Sequence, residues 1–173
     1  MGEAGAAITL RAPEASDLKL FQNIREDAAL QHQLLAYPKS PRVDDAAEWL
    51  ARRQRAESTV FKVLALLDGE AVGFVQIADI HRLGGYGFLG IAVARPYWGK
   101  GYGRAGLLAI LEHARTDLGL RKLMLYVRSD NEAAISLYKS ADFRLIGTLS
   151  RHYFDGRQYH DVVLMERDLE GRH

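Results

Sequence analysis

The segment at residues 90–115, GIAVARPYWGKGYGRAGLLAILEHAR, constrains the fold more than any other part of the sequence. It begins with apolar residues typical of a strand, passes through a loop rich in glycine and basic residues, and continues into a helix with one apolar stripe. Glycines let the backbone approach an anion closely, and free N–H groups at the start of a helix point toward that anion. The segment therefore predicts a phosphate-binding loop, called here the glycine loop (residues 98–104), between a strand and a helix.

The N-terminal third of the chain predicts one strand and two helices. The strand covers residues 8–12, and Ser16 or Asp17 caps the first helix. The apolar face of this helix contains Leu18, Phe21, Ile24 and Ala28. Asp44 begins the second helix, and the apolar side of that helix contains Ala46, Trp49 and Leu50. The chain therefore opens in the order β, α, α.

The middle of the chain changes to the pattern of strands. Residues 59–67 and 71–80 are rich in β-branched and aromatic residues and are joined by the turn Asp68-Gly69, which predicts a hairpin. After a second turn, residues 86–93 predict a third antiparallel strand. The glycine loop thus follows the last strand of a meander.

The C-terminal third predicts one parallel strand, one helix and two closing strands. The almost continuous apolar run at residues 122–127 predicts a strand buried on both faces. Ser129 as N-cap and Glu132 form a capping box for a helix through Ala141. Residues 143–149 and 159–169 predict the closing strands, with a polar loop between them.

These elements together predict an α+β fold. Its mixed, largely antiparallel sheet is flanked by helices and contains a central β-loop-α-β unit. The length of 173 residues fits a single domain, 1–173, with room for one sizeable core.

Composition narrows the class of protein. Lys and Arg number 23 against 22 Asp and Glu, and a net charge of +1 predicts no attraction to nucleic acid. No cysteine is present, which excludes disulfides, a thiol nucleophile and thiolate-bound zinc. The six histidines have no metal-ligand spacing, so we expect no metal. No segment approaches the roughly 18 apolar residues of a membrane helix, so we expect a cytoplasmic protein without membrane association.

Three kinds of phosphate ligand fit a glycine loop, and the neighbouring residues discriminate between them. A Walker loop needs Ser or Thr after Gly-Lys, whereas Gly101 follows Lys100 here. A dinucleotide fingerprint, Gly-x-Gly-x-x-Gly, does match Gly101, Gly103 and Gly106. In that fold, however, the glycines directly follow the first strand, whereas this loop follows a meander. Acyl-coenzyme A is the third ligand.

Residues 91–114 and 123–148 carry a family resemblance. The stretches IAVARPYWGKGYGRAGLLAILEHA and LMLYVRSDNEAAISLYKSADFRLIGT resemble the GNAT superfamily of N-acetyltransferases, most closely over residues 86–147. The signature of that family is Arg/Gln-x-x-Gly-x-Gly/Ala. This chain has Gly101 and Gly103 at the glycine positions, but Trp98 at the first position.

The resemblance implies acetyl-CoA as cosubstrate and assigns roles to particular residues. The backbone of Ile91, Ala92 and Val93 would pair with the pantetheine arm of CoA, and Asn131 would also contact that arm. Backbone N–H groups of the glycine loop would bind the pyrophosphate, which involves Gly99, Lys100, Gly101, Tyr102, Gly103 and Arg104. Tyr138 would protonate the leaving thiolate, although its spacing with Ala134 and Ile135 also fits plain core packing.

The general base is missing from its expected place. Many relatives carry glutamate on the strand before the loop, where this chain has Phe88. Either water removes the ammonium proton, or a neighbour does so, with Asp79, His81 and Tyr86 as candidates. The absent glutamate leaves a non-catalytic acyl-CoA-binding sensor as the alternative to an N-acetyltransferase.

The acceptor is left open by the sequence. A small-molecule amine or a protein N-terminus fits the resemblance, and a homodimer is expected from the family. Substrate selection is expected from the first two helices with their connection, and from residues 150–161. Side chains in that last segment fit either a substrate site or a polar hairpin tip, namely Arg151, Tyr153, Asp155 and Arg157.

Overall fold

The computed structural model describes residues 6–36 and 45–171. Its strands are β1 (Thr9–Arg11), β2 (Val60–Ala65), β3 (Ala71–His81), β4 (Tyr86–Val93), β5 (Lys122–Arg128), β6 (Arg144–Phe154) and β7 (Tyr159–Asp168). Its α-helices are α1 (Leu18–Glu26), α2 (Ala28–Gln33), α3 (Ala46–Arg55), α4 (Tyr102–Thr116) and α5 (Glu132–Ser140). Short 3-10 helices occupy Ala15–Asp17 and Arg95–Tyr97.

The seven strands form one sheet in the order β1-β2-β3-β4-β5-β7-β6. Neighbouring strands pair antiparallel except β4 and β5, which are parallel. The parallel pair is joined by the glycine loop and α4, as a β-α-β connection requires. The predicted α+β fold, its meander and its central β-loop-α-β unit are therefore confirmed.

Two apolar cores lie on opposite faces of the sheet. One core contains Leu89 of β4 together with buried residues of α4. The other contains Ala92 of β4 together with Phe21 of α1 and Trp49 of α3. Since successive side chains of a strand point to opposite faces, Leu89, Ile91 and Val93 face α4, whereas Phe88, Gly90 and Ala92 face α1–α3.

The third glycine of the apparent dinucleotide fingerprint has a packing role. A Cβ on Gly106 would lie 2.8 Å from Cδ2 of Leu64 on β2. The missing side chain lets α4 lie close against the sheet, so the match to a dinucleotide fingerprint needs no dinucleotide to explain it.

The N-terminal prediction of two helices is wrong in detail. The first predicted helix ends at Glu26, and Ala28 starts a separate helix, α2. Asp27 adopts an extended backbone conformation between them, and its carboxylate accepts a hydrogen bond from the N–H of Leu30. This cap starts a new helix in a new direction. Asp44, the predicted start of the next helix, lies outside the described residues, and Asp45 is the N-cap of α3.

Three C-terminal details also differ from prediction. Asn131 is the N-cap of α5 instead of Ser129, because its side chain accepts a hydrogen bond from the N–H of Ala134. The predicted polar loop is mostly strand, since β6 continues to Phe154 and pairs with β7. β5 is buried on one face only, and Tyr126 on its other face is 44% exposed. That exposed face belongs to the site described next.

Candidate functional site

The site is a cleft opened by the separation of β4 and β5. These strands pair only at their first residues, from Tyr86 opposite Lys122 to Phe88 opposite Met124. Beyond Phe88 they diverge, and a cleft of about 640 Å³ lies between them. Its walls come from β4, the glycine loop, α4, β5, α5 and the end of α2.

The diverging part of β4 leaves backbone groups free along the cleft. The N–H of Ala94 donates to the carbonyl of Val72 on β3. Because alternate residues of a strand direct their backbone groups to opposite neighbours, Ile91 and Val93 direct theirs toward the open side. This edge can hydrogen-bond an extended amide-bearing chain.

The glycine loop ends this cleft at the start of α4. Gly99 and Gly101 adopt positive φ angles of 74° and 80°, which suit glycine. A Cβ on Gly99 would meet no atom within 4 Å, so this bend faces open space. The first N–H groups of α4 have no partner within their own helix and carry the positive end of its dipole. The loop can therefore hold an anion.

Two cations flank the glycine loop. Arg104 of α4 donates to the hydroxyl of Ser140 on α5 at 2.7 Å, which fixes its guanidinium between the two helices. Lys100 is exposed, with its ammonium 5.7 Å from the centre of the Tyr97 ring. Positive charge is thus concentrated beside the loop although the whole chain is nearly neutral.

Trp98 holds the glycine loop to β4, a role that the sequence did not predict. Its indole N–H donates to the carbonyl of Val93 at 2.7 Å, and the guanidinium of Arg95 lies 4.8 Å from its ring centre. Arg95 also forms two hydrogen bonds with Asp27, at 2.7 and 2.8 Å. These bonds hold the pKa of the Asp27 carboxyl below its usual value. The start of α2 is therefore tied to the loop.

Asn131 and Tyr138 line the opposite side of the cleft. Asn131 uses its Oδ1 to cap α5, which leaves its amide N–H₂ for another partner. Tyr138 is 8% exposed and packs against Phe143 at 5.7 Å between ring centres. Tyr138 therefore lines the cleft and also packs in the apolar core, and its role as the acid stays a prediction.

Burial raises the pKa of Tyr138 to about 12. The folded protein thus favours the neutral phenol, and this stabilisation is complete below about pH 10 and is lost as pH rises toward 12. We expect the wild type to lose about 2 kcal/mol of unfolding free energy relative to Tyr138→Phe between pH 9 and 11.5. Urea unfolding at both pH values measures this difference, and parallel losses in the two proteins would contradict it.

A stacked aromatic pair forms the floor of the cleft on the α1–α3 side. The rings of Phe88 on β4 and Tyr126 on β5 lie 5.3 Å apart at an interplanar angle of 5°. Leu30, Leu34 and Leu35 line the same cleft, and the amide of Gln76 lies beside Gly90. Sequence reasoning found Phe88 only as a missing glutamate and did not find its partner.

The family model for the acetyltransferase (GNAT) domain matches residues 7–144. The chain belongs to the GNAT acetyltransferase family. The predicted family, fold and N-acetyltransferase activity are confirmed, so a non-catalytic sensor is not needed to explain the glycine loop. Trp98 stands where the family signature has Arg or Gln. In this GNAT protein the Trp98 indole instead forms a hydrogen bond with β4.

Known relatives of this GNAT protein cover nearly its whole length. It is 27% identical to YokL, a prophage-derived uncharacterized N-acetyltransferase of Bacillus subtilis, over 92% of this chain and 88% of the relative. It is 25% identical to spermidine N(1)-acetyltransferase of Vibrio cholerae, over 91% of each chain. The Vibrio cholerae spermidine N-acetyltransferase structure in complex with CoA and spermine matches it with a TM-score of 0.87 at 25% identity, covering 94% of this chain and 95% of that one.

A partial relative carries a different activity name. N-alpha-acetyltransferase RimI of Mycobacterium tuberculosis is 38% identical over 87 residues, which are 49% of this chain and 52% of the relative.

Within residues 6–36 and 45–171, no group of three histidine or carboxylate side chains is placed to hold a metal ion. Among the helices that the structure describes, none is long and apolar enough to cross a membrane.

The three candidate bases do not line the cleft of this GNAT protein. His81 accepts a hydrogen bond from the N–H of Gly84 and stacks on Tyr86 at 5.2 Å between ring centres. Asp79 is exposed at an irregularity in the β3–β4 pairing, with a φ of 50°. All three thus belong to the far end of the meander, where they serve its turn.

The four polar candidates between the closing strands do not line the cleft either. Tyr153 is buried, and its hydroxyl pairs with Nδ1 of His32 at 2.7 Å. Asp155 accepts hydrogen bonds from His160 and from the backbone N–H of Arg157, which lower its pKa. Arg151 covers the ring of Tyr159 at 4.9 Å. These contacts shape a hairpin and connect it to α2.

Proposed function

We propose that this GNAT protein transfers the acetyl group of acetyl-CoA to a primary amine by direct attack of the amine on the thioester. The observation that carries this proposal is the cleft between β4 and β5. It brings the free backbone edge of Ile91 and Val93, the glycine loop and the hydroxyl-bearing Tyr138 to one space.

The glycine loop is suited to the pyrophosphate of CoA. Backbone N–H groups from Gly99 to Arg104 would donate to its oxygens, supported by the dipole of α4. The side chains of Lys100 and Arg104 would add positive charge. Open space around Gly99 allows the close approach that these bonds need.

The pantetheine arm fits the free edge of β4. The N–H groups of Ile91 and Val93 and the carbonyl of Ile91 face the cleft. The carbonyl of Val93 accepts from the indole of Trp98, and Ala92 between them pairs with β3 while its side chain lies in the core. Asn131 on the other side would donate its amide N–H₂ to a carbonyl of the arm. An extended arm between the strands would thus replace the missing β4–β5 hydrogen bonds.

Acetyl-CoA supplies an activated acetyl group, and the chain supplies polarisation and a proton. A backbone N–H of β4 would donate to the thioester carbonyl oxygen while negative charge develops there. The neutral amine nitrogen forms the new C–N bond, the C–S bond breaks, and Tyr138 gives its proton to the departing sulfur. The proton that the nitrogen then loses through water restores the Tyr138 phenol. The pKa of about 12 keeps Tyr138 protonated at neutral pH, as this role requires.

The acceptor amine must lose a proton before or during attack. Among the described residues that line the cleft, none is an acidic side chain or a histidine. We therefore assign proton removal to water. A small-molecule amine is favoured as acceptor, in line with the relatives named for spermidine, and a protein N-terminus is the second class, in line with RimI. The homodimer, the cytoplasmic location and the single domain remain predictions.

Acetyl-CoA at about a hundred times its dissociation constant is expected to stabilise the fold by about 2.7 kcal/mol. For a domain of this size this stabilisation corresponds to a rise in Tm of roughly 5–10 °C. Thermal unfolding followed by circular dichroism measures it. NAD and ATP at equal concentrations are the controls and should give much smaller shifts. A larger shift with NAD, or none with acetyl-CoA, would contradict the proposal.

Release of free CoA thiol in the presence of amines separates catalysis from binding alone. We expect amine-dependent thiol release in addition to the Tm shift. A Tm shift without any thiol release across a broad amine panel would favour an acyl-CoA sensor.

A further inference from the structure

The acceptor side of the cleft has an aromatic and aliphatic surface. We define the acceptor wall as Phe88, Tyr126, Leu30, Leu34, Leu35 and Gln76, which line the cleft on the α1–α3 side of the sheet. Tyr126 is 44% exposed although its ring stacks on Phe88. An exposed, ordered aromatic face inside a cleft favours ligands with an apolar body.

The acceptor wall has no anionic side chain among the described residues that form the cleft. Asp27 accepts a hydrogen bond from the N–H of Leu30, but its charge is paired with Arg95. A polyamine needs several carboxylates to replace its hydration, and the described wall does not supply them.

A cation lies directly behind this wall. Arg53 of α3 donates from Nε to Oε1 of Gln76 at 3.2 Å, and its guanidinium lies 4.0 Å from the centre of the Trp49 ring. Burial, and secondarily the charge of Arg25, lowers the pKa of Arg53 to about 10, so it stays charged at neutral pH. Because Gln76 lies beside Gly90 of β4, this charge acts on the part of the cleft where β4 and β5 diverge.

We propose that the acceptor is a primary amine on an aromatic or aliphatic body that carries no second positive charge. This inference rests on the proposed function and names the substrate class of the same cleft. The body of the acceptor packs on Phe88 and Tyr126, and Arg53 disfavours any further ammonium group. Desolvation by the wall and repulsion from Arg53 both favour the neutral amine, which suits a cleft without a described base.

The sharpest test compares amines that differ in one feature. n-Butylamine and 1,4-diaminobutane have the same carbon chain and differ only in the second ammonium group. 2-Phenylethylamine adds an aromatic ring, and spermidine represents the polyamines. The readout is kcat/KM from release of CoA thiol with the wild-type protein.

We expect 2-phenylethylamine to exceed spermidine by at least about tenfold in kcat/KM, and n-butylamine to exceed 1,4-diaminobutane by about fivefold. Equal values, or a preference for either polyamine, would overturn the inference. If no amine of the four reacts while acetyl-CoA still raises Tm, the acceptor class is wrong and acetyl-CoA binding stands. If acetyl-CoA also fails to raise Tm, the proposed function fails as well.

Two variants test which residues set the preference. Arg53→Gln should reduce the ratio of kcat/KM for n-butylamine to that for 1,4-diaminobutane about threefold to fivefold. Arg55 is an exposed arginine on the same helix, and Arg55→Gln should leave this ratio unchanged. Tyr126→Ala should lower kcat/KM for 2-phenylethylamine about tenfold relative to n-butylamine. Its control is Tyr159→Ala, another exposed tyrosine that packs against an aromatic ring, Phe154, but does not line the cleft.

The variants also have outcomes that oppose the inference. Identical selectivity of Arg53→Gln and Arg55→Gln would remove the role of Arg53. Equal losses for both amines in Tyr126→Ala would remove the aromatic contact. If either variant fails to fold, the wild-type comparison of matched amines still decides the substrate class.

Discussion

Tyr138→Phe is expected to lower kcat between about 10²-fold and 10⁴-fold, the range that one general acid contributes. The phenylalanine ring keeps the packing against Phe143 and removes only the proton donor. The KM for acetyl-CoA should change little, because the pyrophosphate and the arm are held elsewhere in the cleft. Steady-state thiol release with a saturating amine measures both constants.

The control for this substitution is Tyr159→Phe, which removes a hydroxyl outside the cleft and should keep full activity. The Tm of Tyr138→Phe at neutral pH should stay within a few degrees of the wild type. A kcat within threefold of the wild type would assign Tyr138 to packing alone. A large loss of kcat together with a large drop in Tm would call for comparison at a temperature where both proteins are folded.

Gly73→Ala is expected to destabilise the fold by about 3 kcal/mol or more. An added Cβ would lie 2.1 Å from the carbonyl oxygen of Ala92 and 2.9 Å from Cα of Val93. These are backbone atoms of the paired strand β4, so no side chain can rotate to relieve the clash. The strands must move apart, which displaces the edge that faces the cleft.

Urea unfolding of Gly73→Ala measures the loss, and Gly147→Ala is its matched control. Gly147 lies on β6 in the same sheet, and an added Cβ there meets no atom within 4 Å. We expect this control to change stability by less than about 1 kcal/mol. Equal effects of the two substitutions would show that β3 and β4 adjust freely, contrary to the geometry.

Local chemistry made much of the fold predictable. The β4 strand was predicted with its observed ends, because its apolar run starts after the turn at Gly84-Gly85 and stops before Pro96. The predicted helix boundaries were wrong where a single capping side chain sets the start of the helix. Asp27 separates α1 from α2, and Asn131 rather than Ser129 caps α5, through hydrogen bonds that several nearby residues could equally make.

The candidate site was predictable in its anion-binding half. Glycine spacing, basic residues and a following helix are local features, so the sequence by itself determined a loop between β4 and α4 that can hold a phosphate. The same local patterns determined the order of strands and helices around it. The position of Tyr138 in the cleft, by contrast, rested on family resemblance, since its spacing fits a core helix equally well.

The tertiary structure alone decided the acceptor half. The separation of β4 from β5 depends on how two strands joined by a helix pack against different neighbours, which no local pattern encodes. That separation brings Phe88 next to Tyr126 and places α2 over the opening. The folded sheet also brings Arg53 into hydrogen-bond contact with Gln76, which lies 23 residues away in the sequence. Contacts between distant segments arise from the closing of the whole sheet, so the walls that select the acceptor become visible only once the chain is folded.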